Sequence, residues 1–220
     1  MIIVNFKLYK NTFGDKAVEL AKICKKVMDE SGVEVVLAVS SVDIYRIKKE
    51  TELKLYCQNI DEYKHGKWTG WISAEQVKKA GASGSILNHS EHKIPPGKIK
   101  KILKDKDKSF EIVLCVRSIG QVEKWALKLK PDFIAYEPSY LIASKDKSVS
   151  SEKPEVIKRL VKLCGDVPVL VGAGVKNKKD VEIALKLGAK GVLVASDIVT
   201  ADDPEKELRE MIEGFKESFS

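Results

Sequence analysis

The 220-residue sequence holds only three histidines and four cysteines. None of Cys24, Cys57, Cys115 and Cys164 belongs to a C-x-x-C pair. That spacing leaves out the common zinc and dithiol motifs, and it predicts a reduced, cytoplasmic protein without disulfides or a metal centre. Cys57 and Cys115 fall in apolar strand-like runs, where a thiol packs as a small hydrophobe. No run reaches about 18 apolar residues, the length that spans a membrane, so no membrane partner is expected. The start, Met1-Ile2-Ile3-Val4-Asn5, lacks the basic segment of a secretory leader and is not expected to be one. No linker or low-complexity stretch interrupts the chain, so residues 1–220 are expected to form one domain.

Charge is plentiful by contrast. The net charge is +7 and charged residues make up 32%, above the usual 25% or so. The excess is mostly Lys and Glu, which predicts helix surfaces rich in ion pairs. The lysines are spread along the chain apart from short bursts such as Lys98 to Lys108, and no aromatic interleaves with that burst. This argues against a nucleic-acid partner, while a basic surface still attracts an anionic substrate.

The pattern alternates from end to end. Strand-like runs are Ile2 to Asn5, Val33 to Val39, Leu53 to Cys57, Gly84 to Leu87, Phe110 to Val116, Phe133 to Tyr136, Val167 to Val171 and Gly191 to Val194. Helix-like segments follow each: Lys16 to Glu30, Val42 to Lys49, Ser73 to Ala80, Pro96 to Leu103, Gln121 to Leu129, Pro154 to Cys164, Lys178 to Leu187 and Pro204 to Phe215. Continuous Val-rich runs fit strands buried on both faces, as in a parallel sheet. Pro96, Pro154 and Pro204 stand where helices can begin, and Gly81 and Gly188 where they can end. Ser73 with Gln76 is close to a capping box. Eight βα units close into a barrel or form an open sheet, and the open sheet usually carries G-x-G-x-x-G after its first strand. Here that place holds Asn5-Phe6-Lys7-Leu8-Tyr9. The expected class is therefore α/β, a single (β/α)8 TIM barrel.

Chemistry in such a barrel sits at the carboxyl ends of the strands. Those ends carry Asn5 and Lys7, Gln58-Asn59, Asn88-His89-Ser90-Glu91, Glu137-Pro138, Gly172-Ala173-Gly174 and Ala195-Ser196. Each has a plainer explanation alone: Lys7 as a surface lysine, His89 as a cap, Glu137 as a helix-start partner, the glycines as a tight turn. Together they supply one Lys, one His and one Glu. Small residues follow strands seven and eight, where backbone N–H groups can meet a phosphate.

In these segments the chain resembles the triosephosphate isomerase family. Asn5-Phe6-Lys7 resembles its N-x-K motif, Leu87-Asn88-His89-Ser90-Glu91 its G-H-S-E segment, and Ala135-Tyr136-Glu137-Pro138 its A-Y-E-P motif. Residues 171–175 and 191–196 resemble the phosphate loops of the archaeal branch, as does the compact length. The resemblance runs through the whole chain in order. It implies interconversion of dihydroxyacetone phosphate and D-glyceraldehyde 3-phosphate through an enediolate, in glycolysis and gluconeogenesis. Glu137 would be the base and His89 the electrophile; in this family, the worked case of such chemistry, the imidazole acts neutral at a helix N-terminus. Lys7 would supply positive charge, Asn5 would fix the geometry and Glu91 would order His89 or Lys7. Asn5, Phe6, Lys7, Ile142, Gly174, Ala195 and Ser196 would bind substrate, with no cofactor. A homodimer or homotetramer is implied, in which the loop Glu62 to Trp71 enters a neighbour and Tyr63, Trp68 and Trp71 anchor it.

Three departures stand out. The family's sixth loop reads Pro-x-x-x-Ile-Gly-Thr-Gly; here Ala143 and Lys145 replace both glycines, and the loop is about one residue longer. Asn88 stands where glycine is common, and Asp197 follows Ser196 where glycine is common. Another phosphate-binding barrel, such as an indole-glycerol-phosphate or thiamin-phosphate enzyme, explains the late loops but not Lys7, His89 and Glu137 together. A non-catalytic phosphometabolite-binding barrel and a basic RNA-binding module remain as further alternatives.

Overall fold

In the computed structural model, which describes residues 1–138 and 154–218, eight parallel strands close into a barrel in chain order. They are β1 Ile2–Asn5, β2 Val35–Val39, β3 Lys54–Cys57, β4 Ala82–Leu87, β5 Glu111–Val116, β6 Phe133–Tyr136, β7 Val169–Val171 and β8 Gly191–Val194. β1 pairs with β2 on one side and β8 on the other, which closes the ring. Around it lie α1 Asp15–Ser31, α2 Ile44–Thr51, α3 Ala74–Lys79, α4 Pro96–Asp105, α5 over residues 119–129, α6 Pro154–Cys164, α7 Lys178–Lys186, α8 Ser196–Val199 and α9 Pro204–Glu217.

Pleating sorts the strand residues into two cores. Ile3, Val36, Ala38, Tyr56, Ile86 and Leu170 point into the barrel. Ile2, Val4, Leu37 and Leu55 point outward, against helix residues such as Leu20, Cys24 and Val27 of α1. Because the strands are buried on both faces, they read as continuous apolar runs. Tyr56 fills the barrel interior and donates to Glu111 Oε2 at 2.6 Å, while Lys54 pairs with the same oxygen at 2.7 Å. Among the described residues no helix is long and apolar enough to cross a membrane.

The alternation holds, with local shifts. β2 begins at Val35 because the Val33 N–H is taken by Ser31 Oγ at the end of α1. β7 begins at Val169 because the Val167 N–H turns back to Cys164 O. β4 starts earlier, at Ala82, where the register with β3 shifts between Leu55 and Tyr56. The segment expected as a regular helix from Gln121 begins at Ile119, and its centre, Val122–Ala126, is π-helical. α8 was not expected from the sequence. Ser73 caps α3 by accepting the Gln76 N–H at 3.1 Å.

After His89 the chain makes a single turn, closed by His92 N–H to His89 O at 3.0 Å. It cannot propagate: Asn88 Oδ1 takes the Ile94 N–H, and Pro95 and Pro96 have no N–H to offer.

Candidate active site

Asn5 ends β1 facing inward and is buried. Its Oδ1 accepts the Lys7 N–H at 3.1 Å and Gln58 Nε2 at 3.4 Å, and Gln58 Nε2 also donates to the Lys7 carbonyl at 3.0 Å. These bonds hold Lys7 at φ +51°, a left-handed conformation that costs an L-residue about 1–2 kcal/mol. So placed, Lys7 Nζ reaches Glu91 Oε1 at 2.7 Å.

His89 follows β4 and is 9% exposed. Its Nδ1 accepts the Glu91 backbone N–H at 3.2 Å. The Glu91 carboxylate is 3.7 Å from the same nitrogen, too far for a hydrogen bond. An accepting Nδ1 leaves the ring proton on Nε2. That nitrogen faces Glu137 Oε1 at 3.1 Å. Glu91 thus touches Lys7 through its side chain and His89 through its backbone.

Glu137 extends the ladder between β5 and β6 by donating its N–H to Val116 O at 2.8 Å. Its side chain is almost wholly enclosed, and Oε2 accepts the Ser90 N–H at 3.2 Å. Burial, with the neighbouring Glu137 charge, pushes the Cys115 thiol well above its usual range. Gly172 stands beside Glu137; a Cβ there would lie 3.0 Å from Glu137 Cγ.

Gly174 turns at φ +66° after β7. Ala195 precedes α8, and Ser196 opens it, exposed. The Phe6 side chain is fully buried with Ile2 and Val4 in the layer between barrel and helices. The pleat gives it the outward direction of Val4, so only its backbone can border the mouth. Ile142, Ala143 and Lys145 lie outside the described residues. Asp197 is exposed in α8, and nothing in the structure explains its choice. Among the described residues no group of three or more His, Cys, Asp or Glu is placed to hold a metal ion.

Two residues mattered more than their sequence signals suggested. Gln58 anchors the backbone of Lys7, and Gly172 leaves room for Glu137. The signal for Gln58 was a polar residue directly after a buried strand. The room at Gly172 depends on a neighbouring strand, which the local G-x-G pattern does not reveal.

A parallel barrel with a lysine, a histidine and an enclosed glutamate at the ends of β1, β4 and β6 defines a class: a barrel enzyme equipped for acid–base chemistry on an anionic substrate. Comparison with known proteins makes this particular. A sequence model of the family described as triosephosphate isomerase matches residues 1–214. The triosephosphate isomerase of Saccharolobus solfataricus is 42% identical over 216 residues, which is 96% of this chain and 94% of that protein. That of Sulfurisphaera tokodaii is 40% identical, covering 96% and 93%. That of Methanocaldococcus jannaschii is 38% identical over 217 residues, covering 96% and 98%. The chain belongs to the triosephosphate isomerase family.

Proposed function

We propose that this isomerase interconverts dihydroxyacetone phosphate and D-glyceraldehyde 3-phosphate, with Glu137 as base and His89 as electrophile. The observation that carries the assignment is the 3.1 Å approach of His89 Nε2 to Glu137 Oε1, made by residues from β4 and β6 with β5 between them. A three-carbon substrate seated between the two groups replaces that contact on both sides. Nε2–H then donates to the carbonyl oxygen, while Glu137 takes a proton from the adjacent carbon. Glu137 returns that proton to the neighbouring carbon after the enediolate forms, while the hydroxyl proton passes from one enediolate oxygen to the other by way of His89 Nε2, so carbonyl and hydroxyl exchange places and no atom is gained or lost. The Lys7 ammonium offsets the developing negative charge and the phosphate. Glu91 shares it at rest. The phosphate meets backbone N–H groups at Gly174, Ala195 and Ser196, and at Ile142 by family resemblance.

Coupled turnover assays in both directions, on wild type and Glu137→Asp, test the assignment. A base withdrawn by one methylene is expected to lose about a hundredfold, roughly 3 kcal/mol of barrier. Wild type no faster than buffer refutes the activity, and Glu137→Asp as fast as wild type refutes the base.

We also propose a cytoplasmic protein, in line with four buried free thiols, that assembles as a homodimer or homotetramer. Leu8 and Val42 are 80% exposed, and Phe13, Tyr45, Trp68 and Trp71 join them around the first three βα loops. Large apolar side chains left exposed in this number favour association. Tyr63 stacks on Trp68 at 4.1 Å and meets Trp71 edge-on at 4.7 Å, so the third loop holds its own shape. Sedimentation of Trp68→Lys with Trp71→Lys is expected to show monomers; a monomeric wild type refutes the assembly.

A further inference from the structure

Asn88 separates β4 from His89 and is buried, 5% exposed. It sits at φ +59°, where glycine enters freely and asparagine is among the few other residues to do so. Avoiding strain would favour glycine. Asparagine adds a side-chain amide that is bonded at both ends. Pairing of β4 with β5 stops at Leu87 and Leu114, and Asn88 Nδ2 takes the next β5 carbonyl, Cys115 O, at 2.9 Å. Asn88 Oδ1 accepts the Ile94 N–H at 3.1 Å. One buried amide therefore ties the start of the His89 turn to its end and fastens both to β5. Lys93 Nζ adds a bond to Asn88 O at 3.3 Å.

We propose that Asn88 is the positioning residue for His89, and that its clamp keeps the imidazole proton on Nε2. The link is the turn itself. The Glu91 N–H reaches His89 Nδ1 only while residues 89–92 stay folded back, and the Asn88–Ile94 bond closes that fold. Without the clamp, Nδ1 loses its fixed donor; once substrate displaces Glu137 from Nε2 the ring samples both tautomers, and Nε2 donates for only part of the time. The proposal rests on His89 as the electrophile.

The test compares Asn88→Gly, Asn88→Asp, His89→Gln and the Asn88→Gly/His89→Gln double variant. Glycine accepts φ +59°, so Asn88→Gly adds no strain at residue 88 and removes only the amide, and with it the bond that closes the turn. Its kcat is expected to fall about tenfold to a hundredfold, with KM within about twofold of wild type, as for other residues that orient a reacting group. Asn88→Asp keeps the acceptor for Ile94 but sets a carboxylate against Cys115 O, and it is expected to fall at least as far. Nitrogen-15 spectra of histidine-labelled protein saturated with the equilibrated triose phosphates should show one His89 tautomer in wild type and a mixture in Asn88→Gly, which a loss of general stability alone does not produce. In the His89→Gln background, Asn88→Gly should cause no further loss of kcat. Wild-type turnover with a single tautomer in Asn88→Gly overturns the proposal, as does full additivity in the double variant. If His89→Gln alone turns over like wild type, the electrophile assignment fails instead.

Discussion

Replacing Gly172 with alanine adds one methyl group beside the base. Gly172 N–H donates to Tyr136 O at 2.9 Å, which sets its Cα abreast of Glu137. The new Cβ would lie 3.0 Å from Glu137 Cγ, 3.4 Å from Tyr136 O and 3.5 Å from Leu193 Cδ2. Carbon atoms prefer about 3.5–4.0 Å, so Cγ has to retreat by about half an ångström or more. The backbone oxygen and Leu193 limit escape of the methyl in other directions, and the carboxylate takes the displacement. Its contacts to His89 at 3.1 Å and to the Ser90 N–H at 3.2 Å then cannot both keep their geometry. A misplacement of about 1 Å removes about a hundredfold of rate, so half of that removes about tenfold, roughly 1.4 kcal/mol. The fold should tolerate the change, because Gly172 is not among the positive-φ residues. Restricting the unfolded chain contributes about 0.4–1 kcal/mol in the opposite sense. Steady-state kinetics with urea denaturation of the same samples checks both. The expected result is a well-folded protein with kcat about tenfold lower and KM nearly unchanged. Turnover within twofold of wild type refutes the steric reasoning, and so does a loss of activity that merely follows a loss of folded protein.

Lys7→Gly should separate stability from activity. Relief of about 1–2 kcal/mol of left-handed strain roughly offsets glycine's entropic cost of about 0.5–1 kcal/mol, while removal of the ammonium lowers turnover by about a hundredfold or more. A urea midpoint that collapses along with turnover counts against this. Gly214→Ala in α9 looks favourable by helix propensity, by about 1 kcal/mol. Its Cβ, however, would meet Lys178 O at 2.4 Å, so a net loss of about 1–3 kcal/mol is expected from overpacking, and a raised melting temperature refutes it. Burial pushes Cys24 up to about 12, and Cys57 and Cys164 up to about 11, from 9.0. The folded state thus keeps protons that the unfolded chain releases. Stability is full below pH 9 and declines as pH rises toward 12. Urea midpoints across that window should fall, less steeply in Cys24→Ala; a flat profile in wild type contradicts the burial argument.

The sequence by itself determined the alternation of strands and helices and marked the candidate residues at the strand ends. Strands buried on both faces are mostly apolar, so a polar residue that closes or soon follows such a run, such as Asn5, His89 or Glu137, stands out. The same local signals located caps such as Ser73 and the turn glycines Gly81 and Gly188. Where two local signals competed, the boundaries moved, as at Val33, whose N–H serves the end of α1. The turn after His89 stays short because its competing bond comes from Asn88, whose side chain is also held by β5.

Only the tertiary structure decided what these side chains touch. Lys7 and Glu91 are 84 positions apart, yet their charges meet at 2.7 Å. Gln58 fixes a strained lysine from another strand, and Gly172 makes room for a carboxylate on its neighbour. Phe6 looked like part of a binding motif, but the pleat turns its side chain into the core. The physical reason is common to all of these. Composition and periodicity act along the chain, whereas the direction of a side chain at a strand end is set by register, pleat and the closure of the barrel, which bring distant residues face to face.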